Sequence, residues 1–380
     1  MNLTTNLDIR QHVSLSDMFF YRTKWWKSMR LFHTRDDKQV GLEGNLIRFS
    51  SDNGATFSTG FDISTLMASG YLVDKIRILP NGNIVVFSHT TFIFYSEDNC
   101  DSFAPCILLN KDGSPWSYHI PVNPLYPGSY WQTMNGICDF LDGVVVGNYC
   151  NSGGYGATPV QIWHSLDGIT FKVIYRFGQH PEWTDLGLPE GGEGGQPLGD
   201  PVNPLITRHI HGINLGYNGK LYTCGGDGTL CMHVLECSYD IETDIWDIAD
   251  LVDEGPNMSD QLYRIIGIYE RNGYLYIGSD GNTEVQFGIW KVPIEDFNDR
   301  SKWVRIADVN WCCYTFLNHE NYVFSGSQIG GYVLFSRDYG ETWENFPWPS
   351  TFTPAVEDTY FNWKHNYFVS LFWEVSGFVK

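Results

Sequence analysis

The sequence has few positively charged residues. It contains 24 Lys and Arg residues against 44 Asp and Glu residues, which gives a formal net charge of −20. Nucleic acids and anionic membrane surfaces attract basic protein faces, because their phosphate groups bind Lys and Arg. The composition therefore argues against both as partners. An acidic surface of this kind keeps a large protein soluble.

The sequence also lacks a long apolar run. No segment approaches the roughly 20 apolar residues that a membrane-spanning helix needs. Residues 1–30 lack the basic segment, apolar run and small-residue cleavage site of a secretion signal. The nine cysteines are scattered, without the paired C-x-x-C spacing of zinc sites. We therefore expect no signal peptide, free thiols, and a cytoplasmic or virion-associated protein.

Long helical patterns and nucleotide-binding motifs are absent as well. The Gly-rich segment 190–200 lacks the lysine and the strand-to-helix setting of a phosphate-binding loop, so we expect no cofactor. Aromatic residues make up 16% of the chain, charged residues only 18%, and there are 39 glycines. This composition is typical of an all-β protein with many turns.

A turn motif is repeated along the chain. The segment "FSRDYGETWENF", residues 335–346, has the spacing Ser-x-Asp-x-Gly-x-Thr-Trp. Ser and Asp side chains hydrogen-bond nearby backbone amides, Gly adopts positive φ, and the aromatic residue fills the gap between sheets. Related segments begin at Ser50, Ser96 and Ser165, and a decayed copy lies near Ser238 and Asp240. We predict that each copy joins the third and fourth strands of a sheet.

These four motifs resemble the Asp-box, or bacterial neuraminidase repeat, of sialidase-like β-propellers. The resemblance implies a β-propeller fold. Sialidases of this kind carry an arginine in an Arg-Ile-Pro motif ahead of the first box. The segment "RILP" at Arg77 has an extra residue and follows the first box, so we do not expect cleavage of sialic acid.

Hairpin signals give the number of sheets. Short apolar runs introduced by Asn-Gly, Asp-Gly or similar turns predict second strands; they begin at Lys27, Asn81, Asp142, Asn218, Asn272, Glu320 and His365. We therefore predict an all-β fold, a single seven-bladed β-propeller over residues 1–380 with four-stranded antiparallel blades. The predicted blades are 15–60, 74–108, 131–177, 208–249, 262–307, 311–347 and 356–380. Pairing of residues 3–14 with the last blade would close the ring and remove exposed sheet edges.

Three Gly- and Pro-rich insertions interrupt the repeats, at 109–131, 177–207 and 250–261. Each joins a fourth strand to the next first strand. We expect all three on one face of the disc, opposite the repeated turns.

Polar residues cluster where predicted strands meet this face. The predicted catalytic residues are His209, His211, Asp227, Asp280 and Tyr263. The predicted substrate-binding residues are Arg208, Arg264, Trp131 and Gln132. Residues 200–300 also resemble a pattern in uncharacterised Asp-box proteins from microbial polysaccharide contexts.

These residues predict a protein that binds and cleaves an oligo- or polysaccharide at the mouth of the central channel, as a glycoside hydrolase or a polysaccharide lyase. In a lyase, His209 or Tyr263 would remove a proton next to a uronate carboxylate that Arg208 or Arg264 neutralises. In a hydrolase, Asp227 and Asp280 would form the carboxylate pair.

Other interpretations fit the same residues. The two histidines fit core hydrogen bonds equally well, and the two aspartates fit Asx turns equally well. As metal ligands the histidines lack an obvious third partner, so the sequence leaves a metal open, as it does the oligomeric state. The alternative function is a non-catalytic glycan-recognition or structural module, such as a receptor-binding component of a phage.

Overall fold

The computed structural model shows a chain built from β-strands. It describes residues 30–66, 73–88, 92–116, 131, 136–148, 160–178, 199–200, 202–207, 209–226, 231–252, 261–279, 287–308, 313–319, 322–327 and 333–345. Helical structure in these ranges is limited to four short 3₁₀ turns, Ile63–Thr65, Gln261–Tyr263, Ile294–Asp296 and Arg300–Lys302. These turns have three residues each, so none of them could span a membrane. The predicted all-β class is confirmed.

The described strands form six sheets, numbered in chain order. Sheet 1 contains β1 (Arg30–Arg35), β2 (Lys38–Glu43), β3 (Leu46–Ser50) and β4 (Phe61–Asp62). Sheet 2 contains β5 (Val73–Ile78), β6 (Ile84–Ser88), β7 (Ile93–Ser96) and β8 (Ala104–Pro105). Sheet 3 contains β10 (Ile137–Phe140), β11 (Gly143–Gly147), β12 (Gln161–Ser165) and β13 (Thr170–Arg176), with β9 (Ile107–Leu109) at its edge.

The second half of the chain continues this pattern. Sheet 4 contains β14 (Ile210–Leu215), β15 (Leu221–Gly225), β16 (His233–Asp240) and β17 (Ile245–Asp250). Sheet 5 contains β18 (Ile265–Arg271), β19 (Tyr274–Ser279), β20 (Ile289–Pro293) and β21 (Val304–Ala307). Sheet 6 contains β22 (Cys313–His319), β23 (Tyr322–Ser327), β24 (Val333–Ser336) and β25 (Glu344–Asn345). Within all three sheets, consecutive strands pair antiparallel.

The hairpin signals located second strands correctly in five sheets. β6, β11, β15, β19 and β23 are each the second strand of their sheet and each follows the predicted turn. In sheets 4 and 5 the turn glycines, Gly219 and Gly273, have φ of 80° and 78°, a conformation that glycine adopts without a Cβ penalty. The segment predicted from His365 lies outside the described residues.

The segment from Lys27 was placed wrongly. It was predicted to be a second strand, but its described part is β1, the first strand of sheet 1, and β2 is the second. The hairpin turn falls after β1, at Asp36, which has φ of 53°. Aspartate tolerates this left-handed conformation, so an Asp-Asp pair makes the turn in place of the Asn-Gly signal.

Sheet 3 departs from the predicted four strands. β9 leaves sheet 2 and pairs parallel with β13, with Ile107 opposite Thr170 and Leu109 opposite Lys172. Residues 107 and 108 fall within the preceding predicted blade, 74–108. The crossover links two neighbouring sheets through backbone hydrogen bonds, which a pattern of apolar residues within one strand does not reveal.

The sheets pack face to face in chain order. Separate hydrophobic clusters lie between sheets 1 and 2, 2 and 3, 3 and 4, 4 and 5, and 5 and 6. First strands of neighbouring sheets lie side by side, as β14 does with β18 and β18 with β22. This stacking of consecutive sheets is the blade arrangement of a β-propeller. The predicted seventh blade and the closing strand, residues 356–380 and 3–14, lie outside the described residues.

The four repeated motifs, named here the Ser-x-Asp turns, share one hydrogen-bond pattern. In sheet 6, Ser336 Oγ accepts from the amide of Gly340 at 2.7 Å and donates to Asp338 at 2.8 Å. Asp338 also accepts from the amide and hydroxyl of Thr342 at 2.9 and 2.6 Å. Equivalent bonds occur in the copies that begin at Ser50, Ser96 and Ser165. Each turn joins the third and fourth strands of its sheet.

Candidate functional site

The antiparallel order gives each sheet two different ends. The Ser-x-Asp turns follow third strands, whereas first strands begin and fourth strands finish at the opposite end. In sheet 4 this opposite end holds the beginning of β14 and the end of β17. We call it the loop-bearing end, because insertions 177–207 and 250–261 adjoin it there.

The base of insertion 177–207 is attached to the sheets. The Gly178 amide donates to the Leu205 carbonyl at 2.6 Å, and the Asp200 amide donates to the Phe177 carbonyl at 2.8 Å. Thr207, at the end of the insertion, donates its hydroxyl to the Cys231 carbonyl at 2.9 Å. These bonds hold the insertion next to the beginning of β14. Residues 179–198 of the insertion lie outside the described residues.

The structure brings His209 and His211 into direct contact. Their Nε2 atoms are 2.9 Å apart, and Nδ1 of His211 is 2.9 Å from the carbonyl oxygen of Ile265. A carbonyl oxygen only accepts, so Nδ1 of His211 carries a proton. Neutral His211 therefore accepts at Nε2, and His209 donates from its own Nε2. Sheets 4 and 5 thus fix the tautomers of both rings.

Two glycines make room for this pair and for the neighbouring Thr207. A Cβ on Gly226 would lie 2.5 Å from Cε1 of His211, and one on Gly225 would lie 2.7 Å from Oγ1 of Thr207. Neither distance is compatible with a side chain unless its neighbours move. Gly226, directly after β15, therefore lets the His211 ring pack against backbone, while Gly225 leaves room for Thr207. His209 and His211 are 1% and 4% exposed.

The histidine pair has an unequal division of roles. His211 uses both ring nitrogens in the two bonds described, so it orients its neighbour. Neutral His209 carries its proton on Nε2, which leaves Nδ1 as the basic nitrogen. A second proton on His209 would keep the hydrogen bond to His211 intact. If His209 acted as a base it would do so through Nδ1, with His211 orienting the ring.

Tyr263 lies in an aromatic cluster between sheets 4 and 5. It is fully buried, its ring meets Phe297 and Trp303 edge-on, and its hydroxyl donates to the Phe297 carbonyl at 3.3 Å. The Arg300 guanidinium lies 5.6 Å from the ring centre. Arg264, the next residue, is partly buried, and its carbonyl accepts from Ser279 Oγ at 3.4 Å.

Trp131 lies in the core between sheets 2 and 3. Its indole is fully buried and meets Phe87 and Trp163 edge-on, at ring distances of 6.0 and 5.8 Å. In this structure it therefore presents no surface to a sugar. The other four predicted site residues, Arg208, Asp227, Asp280 and Gln132, lie outside the described residues.

A second histidine system lies at the same end of sheet 4. His233, the first residue of β16, contacts Asp250, the last residue of β17, with Nδ1 and Oδ2 2.6 Å apart. Sequence reasoning missed this pair, because 17 positions separate the two residues. Knowledge of the strand register would have revealed the pair, because the histidine begins the third strand and the aspartate ends the fourth.

The described residues do not form a complete metal site. No group of three or more His, Cys, Asp or Glu side chains in these ranges is arranged to hold a metal ion. His209 and His211 bond to each other through the nitrogens that a shared ion would use.

Comparison with known proteins gives fold-level similarity only. No protein-family model and no curated protein matches the chain. The computationally designed protein Ika8 is 12% identical over 84% of this chain and 70% of its own, with a TM-score of 0.41. YCF48 from Cyanidioschyzon merolae is 14% identical over 84% of this chain and 85% of its own, with a TM-score of 0.40. A prolyl endopeptidase structure is 8% identical over 85% of this chain and 43% of its own, with a TM-score of 0.46. Similarity at these levels carries no information about activity.

Proposed function

We propose that the chain is a seven-bladed β-propeller of the Asp-box type that binds a polysaccharide at its loop-bearing end. The six described sheets and the shared bonding of the Ser-x-Asp turns support this architecture. The turns stabilise the far side of the disc, so the loop-bearing end is left for binding. The attached base of insertion 177–207 supports a site near β14.

We further propose that the chain cleaves this polysaccharide by a lyase-type reaction, with His209 as the base. One observation carries the proposal: the hydrogen-bond chain from His209 through His211 to the Ile265 carbonyl. It fixes which nitrogen of neutral His209 is basic, as acid–base catalysis requires. The hydrolase alternative depends on Asp227 and Asp280, for which the described residues supply no geometry.

The proposed step is a β-elimination. The C–H bond next to the uronate carboxylate breaks, and its proton passes to Nδ1 of His209. The electron pair forms a C=C bond as the C–O bond to the leaving sugar breaks. The leaving oxygen takes up a proton from water, and the hydroxide that forms then removes the proton from His209 and restores the base. His211 positions His209 and stays hydrogen-bonded to the imidazolium that forms.

A non-catalytic glycan-recognition module, such as a phage receptor-binding component, is the second candidate. Burial favours it: His209 and His211 are 1% and 4% exposed, and Tyr263 is fully buried. Histidines that satisfy each other inside a protein also serve as packing residues.

Turnover assays separate the two candidates. We would incubate the full chain with polygalacturonate, alginate, xylan and β-glucan, and measure reducing ends together with the absorbance of unsaturated uronates. Turnover of an acidic polymer that His209→Ala abolishes supports the lyase. The control is His164→Phe, which changes a buried histidine in sheet 3 at the end away from the loop-bearing end. Circular dichroism checks the folding of both variants.

Other outcomes are equally decisive. Binding of a polymer without turnover supports the recognition module. Turnover that persists in His209→Ala removes the proposed base. A chain that neither binds nor cleaves any of the polymers contradicts both candidates.

A further inference from the structure

The His233–Asp250 pair at the loop-bearing end has one nitrogen without a protein partner. Nδ1 of His233 bonds to Asp250 Oδ2, whereas Nε2 is buried and has no hydrogen-bond partner within the described residues. The His233 side chain is 1% exposed. A buried acceptor without a donor is costly, because it has given up its hydrogen bond to water without replacing it. Such a group calls for a specific explanation.

The Asp250 carboxylate fixes the ring of His233. Oδ1 of Asp250 accepts from the amides of Val234 and Val252 at 3.3 and 3.2 Å, so both carboxylate oxygens are engaged. A carboxylate only accepts, so Nδ1 of neutral His233 carries the proton and Nε2 presents a lone pair. Packing alone does not explain this pair, because apolar residues of similar size would fill the same buried space at least as well.

His164 shows what a packing histidine looks like in the same protein. Its Nε2 is also buried without a partner in the described ranges, but its ring is surrounded by Phe140, Tyr239 and Trp246 at 5.1 to 5.6 Å. Burial lowers the pKa of His164 to about 4, so the ring stays neutral. No carboxylate fixes its tautomer through a hydrogen bond in the described residues. His233 therefore differs from His164, because its hydrogen bond to Asp250 fixes which ring nitrogen is the acceptor.

The strand register places the backbone of His233 near that of the histidine pair, with its side chain on the face of sheet 4 that packs on sheet 3. Ile210, Gly225 and His233 lie in one row across sheet 4. Adjacent strands are about 5 Å apart, so the backbone of His233 lies about 10 Å from that of β14. On its other side the ring is 6.0 Å from Phe177, the residue that begins insertion 177–207. His209 and His211 lie on the opposite face, towards sheet 5, so a ligand contact at His233 is separate from the histidine pair.

We propose that His233 is a carbohydrate-binding residue, whose Nε2 accepts a hydrogen bond from a hydroxyl group of the ligand while Asp250 positions the ring. This inference rests on the proposed carbohydrate function and adds a contact beyond His209. The near-complete burial of the ring favours a hydroxyl, the smallest donor that a sugar offers. We expect the ligand group at Nε2 to be neutral. The Asp250 carboxylate would repel a negatively charged group that was buried beside it.

The test measures binding of the full chain to the same four polymers by affinity electrophoresis. His233→Phe removes the acceptor and keeps a ring of similar shape, and we expect about tenfold weaker binding. His164→Phe is the matched control and should bind as the wild type does. If His233→Phe fails to fold by circular dichroism, Asp250→Asn replaces it.

Asp250→Asn reverses the tautomer with little change in shape. The Asn oxygen keeps both backbone amides, while its NH₂ group donates to Nδ1, so Nε2 becomes an N–H donor. Long-range ¹⁵N–¹H NMR reports this reversal directly. A sugar hydroxyl also accepts but must turn to do so, so binding should fall by about threefold, less than in His233→Phe. A loss as large as that of His233→Phe would show that the ligand group only donates, as an amide N–H does. That result would contradict the proposed hydroxyl.

The outcomes distinguish this inference from the proposed function. If the wild type binds a polymer and His233→Phe binds it equally well, His233 is not a ligand contact and only this inference fails. If the wild type binds none of the polymers, the proposed function fails and this inference fails with it. Should His233→Phe fail to fold, an Asp250→Asn variant with reversed tautomer and unchanged binding of every polymer would overturn the contact.

Discussion

Glu341, in the Ser-x-Asp turn of sheet 6, accepts a hydrogen bond from the hydroxyl of Tyr276 in sheet 5 at 2.7 Å. Lys291 of the same sheet contacts both carboxylate oxygens of Glu341 at 2.7 Å. The turn therefore docks on the preceding sheet as well as closing its own. Burial and the neighbouring Glu341 raise the pKa of Tyr276 above its usual range, so the phenol stays a donor.

Tyr276→Phe should lower the free energy of unfolding by about 1 kcal/mol, because it removes one hydrogen bond between sheets. Urea denaturation measures this change. Tyr274→Phe is the matched control: it lies in the same strand, its ring is 38% exposed, and we expect a change below about 0.5 kcal/mol. Equal losses in the two variants would show that the Glu341 contact does not stabilise the sheet interface.

Gly340→Ala should destabilise the protein far more than a surface glycine change. Gly340 has φ of 91°, and a Cβ there would overlap the buried hydroxyl of Tyr269. Gly44 also has positive φ, 61°, but nothing lies within 4 Å of its Cβ position. We expect Gly44→Ala to cost about 1 kcal/mol from backbone strain and Gly340→Ala about 3 kcal/mol from strain and overlap. Thermal unfolding compares them, and similar midpoints would contradict the docking role of the turn.

His164 should make the protein less stable in mild acid. Burial lowers its pKa in the folded state to about 4, below the ordinary value of 6.5. The unfolded chain therefore binds a proton that the folded chain excludes, so this contribution is complete above pH 6.5 and is lost as the pH falls towards 4. The loss of unfolding free energy between pH 7 and pH 5 should be smaller in His164→Phe than in the wild type. An identical loss in both proteins would show that His164 titrates normally in the fold.

Gly226 and His211 should be energetically coupled. Gly226→Ala places a methyl group against the His211 ring and should cost about 2 kcal/mol of unfolding free energy. In a His211→Ala background the same change meets a cavity, so its cost should fall below about 0.5 kcal/mol. A double-mutant cycle by urea denaturation measures the coupling. Additive costs would mean that the ring does not pack on Gly226 in solution.

Much of the scaffold could be predicted because its signals are local. The Ser-x-Asp turns bond within seven residues, so Ser336 and Asp338 revealed their turn from spacing alone. The sequence failed at β1, where Asp36 makes the turn without the usual Asn-Gly pair. It failed also at β9, whose partner β13 lies about 60 positions along the chain.

The candidate site was less predictable. The His-x-His spacing identified His209 and His211, but their bond and shared tautomer depend on the Ile265 carbonyl of the next sheet. Trp131 and Tyr263 were placed at strand beginnings that were expected to be open, whereas both are fully buried between sheets. Exposure depends on what covers a residue, and sequence position alone does not give it.

By itself the sequence determined the all-β class, the repeated turns and most second strands, because each depends on the conformational preference of a few adjacent residues. The tertiary structure alone decided that His233 meets Asp250, that β9 crosses to sheet 3 and that the His211 ring rests on Gly226. Those contacts join strands and sheets whose register is set by packing of side chains distant along the chain, and no local preference encodes that packing.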